Sequence, residues 1–181
     1  MMPNAAPQDE PTLIEQARRD PQAFAALYRF YLAPIYRYVC HRVGDQHDAE
    51  DLTAQVFMEA LEGLLAGQYH ENGRFVAWLY SIARHKLADF YRQRTSLPFD
   101  DQVTSTPDFL AGIENSDRRA RIAGLLASLD ADRQELLRLR FIAGLSFSEI
   151  AALDGRSEAA VKMAIYRALG WLRDHWEAEN G

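Results

Sequence analysis

The sequence predicts an all-α fold, with two small helical domains joined by a flexible linker. Apolar residues recur at helical spacing along most of the chain, and no segment shows the strict alternation of a half-buried strand. One acidic stretch with prolines, residues 95–115, lacks any periodicity and predicts the linker. The length of 181 residues and the hydrophobic fraction of 48% allow each domain a core of its own.

Composition narrows the classes of function. Cys40 is the only cysteine, and neither it nor the five histidines stand at the spacing of metal ligands. No apolar run reaches the length of a membrane span, and the N-terminus shows no export signal. We therefore expect a cytoplasmic protein without metal, cofactor or membrane insertion. A net charge of -6 argues against DNA binding through bulk electrostatics alone.

The first domain is predicted over residues 12–94, after a disordered tail over residues 1–11 that contains three prolines. Asp20 and Pro21 predict a helix start, because aspartate caps the free backbone N-H groups and proline fits the first turn. An apolar and aromatic stripe then continues to about Val43, with Pro34 as a possible kink.

The next predicted helix, residues 48–65, carries many acidic residues and no lysine or arginine. Acids in the first turn offset the helix dipole, but that effect accounts for only one or two of them. A surface of this charge suits a basic partner. The polar residues expected to face outward are Asp48, Glu50, Asp51, Gln55 and Glu59.

The helix predicted over residues 74–94 combines aromatic residues with an excess of basic ones. Basic side chains interleaved with aromatic rings can bind backbone phosphates and stack on unpaired bases. The same composition also occurs on many solvated helices, so this pattern alone does not decide between the two interpretations. Its candidate surface residues include Arg84, His85, Lys86 and Arg92.

The second domain is predicted over residues 116–181. Within it, a helix over residues 133–143 is expected to turn Leu136, Leu137 and Phe141 inward, and it leads into a helix-turn-helix pattern. Ser146 and Glu149 form the sequence signature of a capping box at the first helix of that pattern.

Gly155 is predicted to end this first helix, and Ser157 to cap the second one. On the second helix Val161, Ile165 and Ala168 form part of a buried stripe, so Lys162, Met163, Tyr166 and Arg167 face outward. Its size and positive charge suit a DNA major groove. An ordinary helical hairpin with a solvated basic face is the alternative.

In this order, an acidic helix, a basic and aromatic helix, a linker and a helix-turn-helix, the chain resembles a bacterial sigma factor of the extracytoplasmic-function (ECF) type, in the sigma-70 family. The resemblance covers about residues 21–176. DAEDLTAQVF is similar to the segment of sigma region 2 that docks on the clamp helices of the polymerase beta-prime subunit, and FVAWLYSIARHKLADFYRQR to the part that melts the -10 element. Residues 129–173 are similar to region 4, which reads the -35 element.

The resemblance implies a promoter-directing subunit of RNA polymerase, not an enzyme, that contacts the beta-prime clamp helices and the beta flap and is controlled by an anti-sigma factor. The residues it implies at the polymerase are Asp48, Glu50, Asp51 and Gln55, with Phe57 packing beneath them. At the -10 element they are Trp78, Arg84, His85, Lys86 and Arg92, with base capture in the adjoining loop over residues 68–73. At the -35 element they are Arg140, Phe147, Ser148, Arg156, Glu158, Ala159, Lys162, Met163, Tyr166 and Arg167.

The chain departs from the family pattern at several of these positions. Ala54-Gln55 stands where Gln-Glu is common, which removes one carboxylate from the docking motif. His85 stands where asparagine is frequent. Met163-Ala164 replaces a common Ser-Arg pair and Ala159-Ala160 a common Gly-Thr, so we expect an apolar contribution at the -35 element, such as Met163 against a thymine methyl.

Two other functions remain open at this point. A helix-turn-helix regulator that binds operator DNA without polymerase explains residues 130–176 equally well, but leaves the acidic and the basic helices of the first domain unexplained. A small helical enzyme is disfavoured, because the acidic residues lie on a helix exterior without a nucleophile, metal ligands or a phosphate loop.

Overall fold

The computed structural model describes residues 9–70, 74–95 and 116–180. Regular structure in these ranges is entirely helical, without strands, which confirms the predicted fold class. A 3₁₀ turn over Pro21–Ala23 precedes the second helix, and a π-helical turn over Arg138–Ile142 follows the sixth. The α-helices are α1 (Glu10–Arg19), α2 (Phe24–Val43), α3 (Gln46–Leu65), α4 (Phe75–Thr95), α5 (Ser116–Ala127), α6 (Ala131–Leu137), α7 (Phe147–Asp154) and α8 (Glu158–Asn180).

The N-terminal helix begins earlier than predicted. Glu10 is 8% exposed, and its carboxylate accepts a hydrogen bond from the Tyr31 hydroxyl of α2. Pro11 lies in the first turn of α1, where its missing N-H costs nothing. Both residues therefore belong to the first domain, which corrects the predicted tail over residues 1–11 at its C-terminal end. Residues 1–8 lie outside the described ranges.

Helices α1 to α4 form the first domain around an aromatic core that includes Tyr31, Tyr38 and Phe75. The Asp20 carboxylate caps the 3₁₀ turn by accepting from the backbone N-H of Gln22 at 2.9 Å. Helix α2 is unbroken from Phe24 to Val43 although it contains Pro34. The short turn at its end places α3 beside α2.

Helices α5 to α8 form the second domain, and its π-helical turn corrects one prediction. The backbone N-H of Ala143 bonds to the carbonyl of Arg138, five residues earlier, at 3.0 Å. This extra residue per turn rotates the following side chains relative to an α-helix. Leu139 and Ile142 consequently point inward, whereas Phe141 is 52% exposed. The prediction that Phe141 turns inward is therefore wrong.

The two domains are in contact. Helix α4 packs against α7, and α2 packs against the π-helical turn. Charged side chains of both domains meet at this interface, among them Arg84 with Asp154 and Arg42 with Glu135. Apart from Thr95 at the end of α4, the predicted linker over residues 95–115 lies outside the described residues.

Candidate nucleic-acid interfaces

The helix-turn-helix has the capping geometry that the sequence predicts. Ser146 Oγ accepts from the backbone N-H of Glu149 at 3.2 Å, and Glu149 Oε2 accepts from the backbone N-H of Ser146 at 2.6 Å. Gly155 ends α7 with a φ of 67°, a left-handed conformation that glycine adopts without strain. Ser157 Oγ then accepts from the backbone N-H of Ala160 at 3.2 Å. These caps fix the angle at which α8 leaves α7.

Helix α8 buries one face and exposes the other. Val161, Ile165 and Ala168 are at most 1% exposed and pack on the rest of the domain. Opposite them, Met163 and Tyr166 are 51% and 53% exposed, a high value for large apolar side chains. The exposed face also carries Glu158, Ala159, Lys162 and Arg167. This face combines hydrogen-bond donors with apolar groups, as base edges in a major groove require.

Three further residues predicted at the -35 element flank this face. Arg140 donates to the carbonyl of Leu145 at 2.8 Å, and its guanidinium lies 4.7 Å from the ring centroid of Phe147. This stacking holds a cation beside the N-terminus of α7. Ser148 is exposed one residue further along α7.

Arg156, in the turn of the motif, is bound within its own domain. It donates to both carboxylate oxygens of Asp132, at 2.6 and 2.9 Å. The hydrogen bond and charge of Arg156 hold the pKa of Asp132 below its ordinary value. The pair fixes the turn against the start of α6, so a phosphate contact by Arg156 has to compete with Asp132.

The basic residues of α4 differ in how much of them faces solvent. His85 and Arg92 are exposed, although Arg92 also pairs with Asp89 on the same helix. Lys86 Nζ lies 2.5 Å from Glu59 of α3. Arg84 Nη1 bonds to Asp154 Oδ1 of α7 at 2.6 Å. Partners on other helices therefore hold both Arg84 and Lys86, and a DNA contact by either has to compete with these ion pairs.

Trp78 supports the loop between α3 and α4. Its ring centroid lies 5.1 Å from that of Tyr69 and 5.7 Å from that of Phe75. Arg18, which the sequence analysis did not single out, donates to the carbonyl of Tyr69 and lies over its ring. These contacts anchor both ends of the predicted base-capture loop over residues 68–73, of which residues 71–73 lie outside the described ranges.

The acidic face of α3 is accessible. Glu50, Asp51 and Gln55 are exposed, and Asp48 is half-buried with Arg94 of α4 at 3.1 Å. Phe57 is different: it is 4% exposed and packs edge-on against Tyr28 at a centroid distance of 4.8 Å. It lies beneath the acidic face as expected, which excludes it as a direct contact to a partner.

Sequence reasoning missed one surface residue on α3. Met58 is 62% exposed and follows Asp51 by two helical turns and Gln55 by one, so the three lie on one face. Methionine is enriched at protein interfaces relative to the rest of the surface. The spacing of seven residues from Asp51, which is two helical turns, is the signal in the sequence that could have placed Met58 on the acidic face.

Clusters that could hold a metal ion do not occur among the described residues. In the same residues no helix is long and apolar enough to cross a membrane.

Comparisons with known proteins identify both domains. The family model for Sigma-70 region 2 matches residues 27–96, and the model for Sigma-70, region 4 matches residues 119–172. The ECF RNA polymerase sigma factor SigD of Mycobacterium bovis is 35% identical over 153 residues, which cover 77% of this chain and 70% of that protein. The chain belongs to the ECF family of RNA polymerase sigma factors.

Other relatives are similar to this chain over most of its length. The ECF RNA polymerase sigma factor BldN of Streptomyces coelicolor is 35% identical over 170 residues, covering 88% of this chain but only 63% of BldN. The solved structure of CnrH in complex with the cytosolic domain of CnrY is 26% identical, with a TM-score of 0.67 over 92% of this chain and 96% of CnrH. Sigma factors are promoter-directing subunits of RNA polymerase and not enzymes. In this sigma factor α1 to α4 form region 2, and α5 to α8 form region 4.

Proposed function

We propose that this sigma factor binds core RNA polymerase through the acidic face of α3 and directs it to promoters through α4 and α8. The observation that carries the proposal is the presence, on one chain, of an exposed acidic face and an exposed recognition helix in domains that match sigma regions 2 and 4. DNA binding by the recognition helix does not explain the acidic face, and docking through the acidic face does not explain the recognition helix. The proposed activity takes place in the cytoplasm and requires no cofactor.

At the polymerase, the carboxylates of Glu50 and Asp51 face basic groups of the clamp helices, and Asp48 does so while bound to Arg94. Opposite charges accelerate encounter and set register more than they raise affinity. Gln55 and Met58 continue the same face with neutral contacts. Region 4 in turn meets the beta flap.

At the promoter, α8 enters the major groove of the -35 element. Lys162 and Arg167 supply donors to base edges or phosphates, and Met163 supplies an apolar contact. His85 and Arg92 on α4 lie near the opened strand of the -10 element, and Trp78 supports the loop that captures a base. Phosphate contacts fix the register, and the few base contacts select the sequence.

A regulatory partner of the anti-sigma type is part of the proposal. CnrH, which shares the fold at a TM-score of 0.67, was solved with a second protein, the cytosolic domain of CnrY. A partner of this kind binds the sigma factor so that the polymerase-facing and DNA-facing surfaces are covered.

Binding measurements distinguish this function from a regulator that acts without polymerase. The labelled chain is titrated with core RNA polymerase, and then with duplex DNA at physiological salt in the presence and absence of polymerase. Because the chain carries a net charge of -6, we expect tight binding to polymerase and weak binding to DNA alone. Tight, sequence-specific DNA binding by the chain alone, without polymerase binding, would establish the operator-binding regulator instead.

A further inference from the structure

The first helix of the chain lies outside the part that matches a family model. The match to Sigma-70 region 2 begins at residue 27, whereas α1 covers Glu10–Arg19. This helix is nevertheless built into the fold of region 2, because it packs against both α2 and α3. Ile14 and Ala17 are at most 1% exposed, and the buried Glu10 carboxylate accepts a hydrogen bond from the Tyr31 hydroxyl. The helix is therefore fixed at both ends and can hold other parts of the domain in place.

Arg18 connects α1 to the loop between α3 and α4. Its Nη2 donates a hydrogen bond to the backbone carbonyl of Tyr69, and its guanidinium carbon lies 5.9 Å from the centroid of the Tyr69 ring. The Arg18 side chain is 28% exposed. A cation partly withdrawn from water interacts more strongly with a carbonyl group and an aromatic ring than a fully exposed one does. Arg18 therefore holds both the backbone and the side chain of Tyr69.

Tyr69 is a buried residue between two exposed polar ones. It is 3% exposed, and its ring centroid lies 5.4 Å from that of Phe75 and 5.1 Å from that of Trp78. Gln68 and His70, on either side of it, are exposed. Their amide and imidazole groups can donate and accept hydrogen bonds, as contacts to a base edge require. The position of Tyr69 therefore decides where these two groups lie.

The end of α3 fixes the chain up to Gln68. The backbone N-H of Gly67 donates to the carbonyl of Leu64 at 3.1 Å. The backbone N-H of Gln68 donates to the carbonyl of Gly63 at 2.8 Å. Tyr69 is the next residue, and the donor at its carbonyl comes from α1, which is 51 positions away in the sequence. The conformation of the loop beyond Gln68 therefore depends on a contact with the N-terminal helix.

We propose that Arg18 is a positioning residue for recognition of the -10 element. By holding Tyr69, it keeps the exposed groups of Gln68 and His70 where the melted strand passes, and it does not itself contact a base. The inference rests on the proposed function, in which the loop between α3 and α4 captures a base. A loop that is already held in its binding conformation loses little freedom on binding. Without the tether, only the fraction of molecules with a correctly placed loop binds the selected bases.

The test uses the full chain bound to core RNA polymerase and a pool of single-stranded DNA oligonucleotides with a randomised window. The wild-type holoenzyme selects a sequence from this pool. Its affinity for that sequence is then compared with its affinity for a scrambled strand of the same composition. The ratio of the two affinities measures discrimination. A general loss of stability lowers both affinities alike and leaves this ratio unchanged, so the ratio reports on the placement of the loop.

The variant is Arg18→Ala, and its matched control is Arg19→Ala on the same helix. Both substitutions remove one positive charge and one ion pair with Glu15, but the Arg19 side chain is 78% exposed. We expect Arg18→Ala to reduce discrimination about tenfold, as for a loop that is correctly placed in a tenth of the molecules. Arg19→Ala is expected to keep the wild-type ratio. Both variants should bind polymerase as the wild type does, because the acidic face of α3 is unchanged.

Equal discrimination by Arg18→Ala and Arg19→Ala would overturn the inference and leave the proposed function intact. An equal loss of affinity by Arg18→Ala on the selected and the scrambled strand would also overturn it, because Arg18 would then act as a phosphate contact or as a purely structural residue. A wild-type holoenzyme without sequence preference would contradict the proposed function itself, and this inference with it. If circular dichroism shows that Arg18→Ala loses helix content, Arg18→Met replaces it, since methionine keeps the aliphatic stem and removes the charge and the donors.

Discussion

A Cβ atom on Gly63 would lie 2.9 Å from Cζ2 of Trp78, so the absence of a side chain at Gly63 sets how closely α3 approaches α4. The Trp78 ring fills this space and packs on Tyr69 and Phe75 at the start of α4. The contact of Gly63 with the Trp78 indole therefore sets the distance between the acidic helix α3 and the basic helix α4.

We predict that Gly63→Ala lowers the free energy of unfolding by about 1–3 kcal/mol, because the indole or the helix must shift to admit the methyl group. Thermal unfolding measures the change. Gly124→Ala and Gly170→Ala are the controls, since a Cβ at either position meets nothing within 4 Å. In the helix interiors of α5 and α8 these two are expected to stabilise the chain by about 0.5–1 kcal/mol. A Gly63→Ala variant as stable as the controls would show that Trp78 does not fix this contact.

Charge reversal on α3 is predicted to weaken polymerase binding while the fold stays intact. Glu50→Lys with Asp51→Lys changes two exposed side chains, neither of which bonds to a cation in the described residues. Asp48 is left unchanged because its reversal would also break the pair with Arg94. Affinity for core polymerase is measured by titration of the labelled chain.

The matched control for this reversal is Asp174→Lys with Glu177→Lys, an equal change of charge on the exposed end of α8. It breaks the exposed pair of Asp174 with its chain neighbour Arg173, which joins no other helix. We expect the α3 variant to lose affinity and the α8 variant to keep it. Equal affinity of both variants would remove α3 from the docking surface.

Arg167→Ala is predicted to cost about 1–3 kcal/mol of binding free energy at a specific -35 sequence if the guanidinium contacts a base edge. The measurement compares the selected sequence with a scrambled one, using the sigma factor bound to polymerase. Arg173→Ala is the control, because Arg173 is exposed on the same helix but pairs with Asp174. An equal loss of affinity on both sequences would identify Arg167 as a phosphate contact.

Glu135, which pairs with Arg42 of region 2, gives the free energy of unfolding a defined pH dependence. Burial opposes its ionisation, but the charges of Arg42 and Arg138 and the hydrogen bond from Tyr38 outweigh burial and hold the pKa of Glu135 below its ordinary value. The native state therefore binds fewer protons than the unfolded state. The stabilising contribution of the Glu135 carboxylate is fully present above the pKa of an unfolded glutamate and is lost as the pH falls through the depressed pKa of the folded state.

We predict that Glu135→Gln lowers the free energy of unfolding by about 2 kcal/mol at neutral pH, and by much less once the wild-type carboxylate is protonated in acid. Denaturant unfolding of the wild type and the variant over a pH series measures this difference. A difference that stays constant down to acid pH would contradict the assignment of Glu135 as a buried, ionised acceptor.

The local features of this protein could be predicted from its sequence, because caps and periodic apolar stripes depend on near neighbours. Ser146, Glu149 and Gly155 defined the helix-turn-helix, and the buried stripe of α8 fixed which of its residues are exposed. The Phe141 prediction failed because a π-helical turn leaves no periodic signal in so short a segment.

Long-range pairs were equally inaccessible from the sequence. Arg84 is a basic residue on an aromatic and basic helix, a pattern typical of a DNA contact. Only the packing of α4 on α7 brings it to Asp154. In the sequence, Glu135 is indistinguishable from other surface acids on short helices. Only the folded structure brings Tyr38 and Arg42 of α2 to its carboxylate. The contact of Arg18 with Tyr69 likewise joins residues that are 51 positions apart.

Transcription by core RNA polymerase on a genomic fragment library, with and without this protein, tests the central claim most directly. If the chain is a promoter-directing sigma factor, discrete start sites appear only when it is present, and they share two upstream elements at a fixed spacing. If it binds polymerase and DNA but start sites with and without it are the same, the proposed function is contradicted.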